Sequence, residues 1–217
     1  MDRDELRMQQ GLGTPRLVVF DVGGVLVRLD HGAREAHLRP ASEGSLDLPA
    51  LAATNRQFRL GEIGADTYIE RISRIYAVSR RAVEQAEAAF LAGVFPDMAA
   101  YVRRLRQHVR VVCLSNTQIL HWQAILDHWL GPDFFDACYL SHEMGMEKPQ
   151  ADIYAELARR EGVSGADIVF IDDTPENIEA AKEAGWTDSI LHVSEAATMQ
   201  AIDNSLHRAQ PAAAMRF

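Results

Sequence analysis

Three apolar runs in the chain end on polar residues that could do chemistry. LVVF runs into Asp21, VVCL into Ser115 and Asn116, and IVFI into Asp172 and Asp173. Each has an ordinary alternative: an aspartate after a strand serves as a turn or N-cap residue, and Ser115-Asn116 can cap a helix starting near Gln118. The Asp172-Asp173 pair is harder to assign to capping, since adjacent carboxylates repel and one suffices ahead of Pro175. Acids gathered on one edge call for a cation, and hard oxygen donors suit Mg²⁺, which takes one or two carboxylates and leaves room for a phosphate. The eight histidines are scattered without HxxxH or CxxC spacing, so no zinc pattern competes. His108, His121, His128 and His142 read as surface or edge residues. Lys148 in GMEKP offers the positive charge an anionic substrate needs, with Pro149 read as the start of the next helix.

These residues lie far apart, so a fold must bring them together. Short β-branched runs at 17–20, 109–114 and 168–171, with weaker ones at 137–140 and 189–193, alternate with helical periods such as Ile119, Trp122, Ile125, Leu126 and Trp129. Alternation of this kind implies an α/β fold, a doubly wound parallel sheet of Rossmann-like type. The carboxyl ends of its strands then share one edge, where ligands bind.

From about residue 31 to 94 the apolar spacing is helical, in LDLPALAATNRQFRL, YIERISRIY and RRAVEQAEAAFLAGV. The expected organisation is a core of 16–30 and 95–207, a helical cap of 31–94 inserted after the first strand, and loose tails at 1–15 and 208–217.

Composition bounds the function. With 47% hydrophobic and 24% charged residues the chain reads as an ordinary globular protein. A formal net charge of −9 argues against a nucleic-acid partner, whose phosphates need clustered Lys and Arg. The apolar runs are too short to span a bilayer and MDRDELRMQQ lacks a signal-peptide pattern, so the expected address is cytoplasmic, with no membrane partner. Cys113 and Cys138, each in an apolar segment, read as buried thiols. No heptad decides between monomer and homodimer.

The ordered set VVFDVGG, CLSNT, GMEKPQADIY and VFIDDTPEN resembles the four motifs of the haloacid dehalogenase superfamily, most of whose members are Mg²⁺-dependent phosphatases. The resemblance runs from about residue 16 to 195. It implies that Asp21 is the nucleophile forming an aspartyl-phosphate, that Ser115 and Asn116 hold phosphoryl oxygens, and that Lys148 pairs with the nucleophile and the transferring group. It also implies a metal site of Asp21, the Gly23 carbonyl, Asp172 and Asp173, a cap that selects among small phosphorylated metabolites, and a mobile flap opened by the glycine pair.

Gly23 departs from the family pattern, which usually places a second aspartate there to protonate the leaving group and activate water, work worth about 10²- to 10⁴-fold. The Asp-x-Gly pattern is similar to that of a sugar-phosphate phosphatase subgroup. A water, a cap residue such as Asp30, His31 or Glu35, or a substrate with a good leaving group could make up the loss. A phosphate- and Mg²⁺-binding module without turnover is the alternative from another class. A 2-haloacid dehalogenase is disfavoured, since those relatives need no metal and this chain keeps both Asp172 and Asp173. Arg56, Arg59, Tyr68 and Arg71 are the cap side chains considered for specificity, with solvated helix faces as the other reading.

Overall fold

A computed structural model describes residues 17–39 and 46–208. The stretches read as tails lie outside the described residues, except Arg208, which ends a helix.

The core is a five-stranded sheet of β1 (Leu17–Phe20), β4 (Arg110–Ser115), β5 (Ala137–Leu140), β6 (Ile168–Asp172) and β7 (Asp188–Leu191), in the order β5-β4-β1-β6-β7. Every pairing in it is parallel. β1 and β6 are buried along their whole length, as expected of β-branched runs that have helices on both faces. Alternation splits each strand between two clusters. Val18, Phe20, Val111, Cys113, Val169 and Ile171 face one side, and Leu17, Val19, Val112, Leu114, Ile168 and Phe170 the other. The first side is covered by α5 (Pro96–Leu105), α6 (Ile119–Ile125) and α10 (Glu195–Arg208). The second is covered by α8 (Ala151–Glu161) and α9 (Pro175–Glu183), where Tyr154, Phe170 and Trp186 meet edge to face at centroid distances of 5.2–6.0 Å. A short helix, α7 (Ser141–Met144), follows β5.

Between β1 and β4 the chain forms α1 (His31–His37), α2 (Leu48–Arg59), α3 (Ala65–Tyr76) and α4 (Arg80–Phe90). Asp30, Asp47 and Ser79 start three of them, each accepting a backbone N–H three residues on. Leu38, Phe58, Tyr68, Ile69, Ile72, Val83 and Ala86 form a separate small core, with Ile119 and Leu120 of α6 packed beneath it.

Local periods mislead at three places. Leu91–Val94, read with the preceding helix, forms β3 and pairs antiparallel with β2 (Val27–Leu29). Gly93 at φ +100° does not continue a helix, and the exposed edge of β2, distant in sequence, supplies the backbone partners. The period that includes Trp129 leaves the α-helix at Leu126 and closes as a single π-helical turn, Leu126–Leu130. The helix after Lys148 begins at Ala151 rather than at Pro149, which follows a cis peptide bond. Among the described residues no helix is long and apolar enough to cross a membrane.

Candidate active site at the carboxyl ends of β1, β4 and β6

The sheet order reverses beside β1: the chain moves outward through β4 and β5, then returns to β6 on the other side. A crevice at such a switch point is where open α/β sheets bind ligands. Asp21 sits at that crevice one residue past β1, its N–H donating to the Ile171 carbonyl at 2.8 Å, so the ladder carries the candidate nucleophile into register with β6. A tight turn then reverses the chain, with Val27 N–H donating to Val22 O and Gly24 N–H to Val27 O, both at 2.8 Å.

The two glycines of this turn have different reasons to be glycine. Gly24 has φ +76°, and a Cβ there would lie 1.9 Å from Asp173 Oδ2, so only a bare backbone lets the carboxylate in. At Gly23 a Cβ would lie 3.1 Å from Cδ1 of Leu29, the flexible end of a β2 side chain.

Lys148 ties the strands together. Its ammonium, 3% exposed as a residue, lies 3.0 Å from Asp21 Oδ1 and 2.6 Å from Asp172 Oδ2. Asn116 holds the backbone of that lysine, donating from Nδ2 to Lys148 O at 2.8 Å and accepting from Lys148 N–H at 2.9 Å. Ser115 is buried at the end of β4, and Asp172 is wholly buried. Besides Lys148, Asp172 accepts from Thr174 N–H at 2.8 Å and from Asn177 Nδ2 at 3.0 and 3.1 Å. Asp173, by contrast, is exposed, with its carboxylate against Gly24 and 3.3 Å from Thr174 Oγ1. The adjacent acids thus face different partners.

Carboxylate oxygens of Asp21, Asp172 and Asp173 all lie within 4.8 Å of one another. Three carboxylates against one ammonium leave two negative charges, the complement of one divalent cation, and the all-oxygen donor set suits Mg²⁺. Crowding these groups together moves them off their ordinary pKa values. Burial pushes Asp21 up from 3.8 to about 7, with Lys148 opposing and Asp172 adding to the rise. Asp173 is also raised, first by partial desolvation of its carboxylate where it lies against Gly24 and then by Asp172. Burial alone would depress Lys148, but Asp21 and Asp172 outweigh it and hold the lysine above its usual 10.5.

Asp30 caps α1 by accepting from Ala33 N–H at 2.8 Å, His31 packs edge-on to Phe90, and Glu35 is exposed. Arg56 and Arg59 pair with Glu147 through Nε at 3.0 and 2.6 Å, and Arg71 donates to Gln57 at 2.7 Å. Tyr68 belongs to a buried cluster: Glu87 accepts from Tyr68 OH and Arg34 Nε, both at 3.0 Å, and lies 2.9 Å from His121 Nε2. Of the other histidines considered, His108 and His128 are exposed, and His142 is half-buried with Nδ1 3.2 Å from Thr117 O. Cys113 and Cys138 are unlinked neighbours in the β4–β5 register.

Glu147, Glu87, Arg34 and Asn177 escaped the sequence reading. Glu147 had a signal in its place beside Lys148, and Asn177 in its place within VFIDDTPEN. Glu87 and Arg34 had none, since in a helical period they look like solvated positions.

Comparison with known proteins identifies the family of this fold. A family model described as haloacid dehalogenase-like hydrolase matches residues 15–185. A D-ribitol-5-phosphate phosphatase of Bacteroides thetaiotaomicron is 25% identical over 181 residues, 78% of this chain and 88% of the relative. A sesquiterpene phosphatase of Aspergillus oryzae is 25% identical over 190 residues, 84% of this chain and 91% of the relative. In fold, a Bacteroides thetaiotaomicron enzyme of the same family, solved as a magnesium complex, superposes with TM-score 0.73 at 24% identity, covering 82% of this chain and 93% of its own. The L-2-haloacid dehalogenase of Xanthobacter autotrophicus superposes with TM-score 0.59 at 19% identity, covering 89% and 84%. A family match across most of the chain, laid over a sheet edge that gathers Asp21, Lys148 and the Asp172-Asp173 pair, makes this chain a member of the haloacid dehalogenase-like hydrolases.

Proposed function

We propose that the chain is a Mg²⁺-dependent hydrolase of small phosphomonoesters that works through an aspartyl-phosphate on Asp21. The observation that carries this reading is the buried Lys148 ammonium, held between Asp21 and Asp172 at the switch-point crevice, with Asp173 alongside. The two relatives from Bacteroides thetaiotaomicron and Aspergillus oryzae support it, since each is named as a phosphatase.

Asp173 and Asp21, with the Gly23 carbonyl, would hold the metal, and Asp172, engaged with Lys148 and Asn177, would join them directly or through water. Bound there, Mg²⁺ supplies positive charge for the phosphoryl oxygens. Asp21 attacks phosphorus in line, the bond from phosphorus to the ester oxygen breaks, and the departing alkoxide takes its proton from a water molecule in the crevice, since Gly23 offers no acid. Lys148 balances the charge spreading over the phosphoryl oxygens, while Ser115 donates to one of them and Asn116 keeps Lys148 in place. Water then attacks the aspartyl-phosphate, releasing phosphate and restoring Asp21. With glycine at position 23 this second step has no carboxylate base, so it is the slow one.

A rapid-quench assay tests the scheme with ribitol 5-phosphate and a panel of sugar, nucleotide and acyl phosphates, with Mg²⁺ or with EDTA. The expected result is a Mg²⁺-dependent burst of alcohol near one equivalent per site, followed by a slower steady rate. A linear time course would refute slow dephosphorylation. Complete inertness across the panel would favour the phosphate-binding module that the missing acid at position 23 also permits.

A further inference from the structure

We propose that Glu147 is a positioning residue that couples docking of the helical cap to the placement of Lys148. The inference rests on the reading of Lys148 as the partner of the transferring phosphoryl group.

Neighbouring side chains in this loop point to different partners. Lys148 reaches Asp21 and Asp172, whereas the buried carboxylate of Glu147 receives Arg56 on one oxygen and Arg59 on the other, at 3.0 and 2.6 Å. Both arginines lie on one face of α2, three residues apart. The Glu147 side chain is only 10% exposed, against 49% and 36% for the arginines, so this pair is screened less than a surface ion pair.

The same seam carries two further contacts. Ser141 Oγ accepts from Thr117 N–H at 3.0 Å and lies 2.7 Å from the Arg59 carbonyl and 2.9 Å from that of Thr117. Its single proton therefore has one acceptor on the cap and one on the core loop, and stays satisfied if the cap withdraws. Gly61, at φ +72°, lets the cap chain pass so close to His142 O that a Cβ would lie 2.1 Å from it. Residues 56–61 thus press on α7 and, through Glu147, on the loop after it, where Asn116 from the loop after β4 holds the backbone of Lys148. A movement of α2 reaches Lys148 through one peptide bond. A displacement of about 1 Å at a catalytic group can cost ~100-fold in rate.

The test compares wild type with Glu147→Gln, with Arg56→Gln/Arg59→Gln, and with the triple variant. Arg74→Gln, whose partner is the exposed Glu70, serves as control. With p-nitrophenyl phosphate and Mg²⁺, Glu147→Gln should lower kcat/KM by about 10- to 100-fold, mainly in kcat, and the arginine pair should do the same. The triple variant should be no worse than either, as for residues acting as one unit. Hydrogen exchange should rise together in residues 48–61 and 146–148 while the melting temperature changes little. Wild-type kinetics in Glu147→Gln, additive losses in the triple variant, or exchange that rises in only one segment would each overturn the proposal. If Glu147→Gln does not fold, the arginine variant, which changes partly exposed side chains, decides. The exchange measurement needs no turnover, so an inert wild type would refute the phosphatase reading while the coupling is still decided by exchange.

Discussion

Asp21→Asn should abolish turnover and at the same time make the metal-free protein more stable above neutral pH. In the folded chain burial raises Asp21 from 3.8 to about 7 despite the ammonium 3.0 Å away. Below about pH 4 the carboxyl is protonated in both folded and unfolded states and its charge has no effect on stability. Between 3.8 and about 7 the unfolded chain releases the proton while the folded chain keeps it, so stability falls as pH rises; above about 7 the loss is complete. At 1.36 kcal/mol per pH unit, the rise sets a ceiling of about 4 kcal/mol. Asp21 shares its charge with Asp172 and Lys148, so we expect about 2 kcal/mol, or ~4–8 °C in melting temperature for a domain of this size. Thermal unfolding of both proteins in EDTA at pH 4.5 and 8 measures it: the advantage of the variant should be small at pH 4.5 and full at pH 8. Saturating Mg²⁺ should then stabilise the wild type more than the variant, by about 2.7 kcal/mol at 100 times Kd for a site intact only in the former. A variant no more stable than wild type at pH 8, or equally favoured at both pH values, would refute the claim that Asp21 is held against its own charge.

The turn offers two further tests. Gly24→Ala places a methyl group where Asp173 Oδ2 now sits and demands φ +76° of a non-glycine residue, so it should weaken Mg²⁺ binding at least ~10-fold by calorimetry and cost more than ~1 kcal/mol of stability. Gly23→Asp restores an acid where only the flexible end of Leu29 must give way; it should speed decay of the phospho-enzyme ~10²-fold or more in rapid-quench assays and abolish the burst, and an unchanged decay would show that proton transfer is not what limits it.

The family motifs, the parallel sheet and the edge holding Asp21, Ser115, Lys148, Asp172 and Asp173 could be read from the chain. β-branched runs buried on both faces have only one setting open to them, and their first polar successors must emerge at the same rim. The strand at Leu91–Val94 could not be read that way. Leu91–Val94 is a strand only because β2 offers an edge, and a four-residue apolar period does not reveal a partner so far away.

Partnership at the site belongs to the tertiary level as well. Tertiary packing decides that Lys148 lies between Asp21 and Asp172, that Asn116 turns its amide to the lysine backbone, and that Glu147 faces two arginines of α2. A side chain's type states what it can donate, accept or charge; which groups stand within 3 Å of it depends on how strands and helices far apart in the chain align, and that alignment is settled by packing the whole molecule.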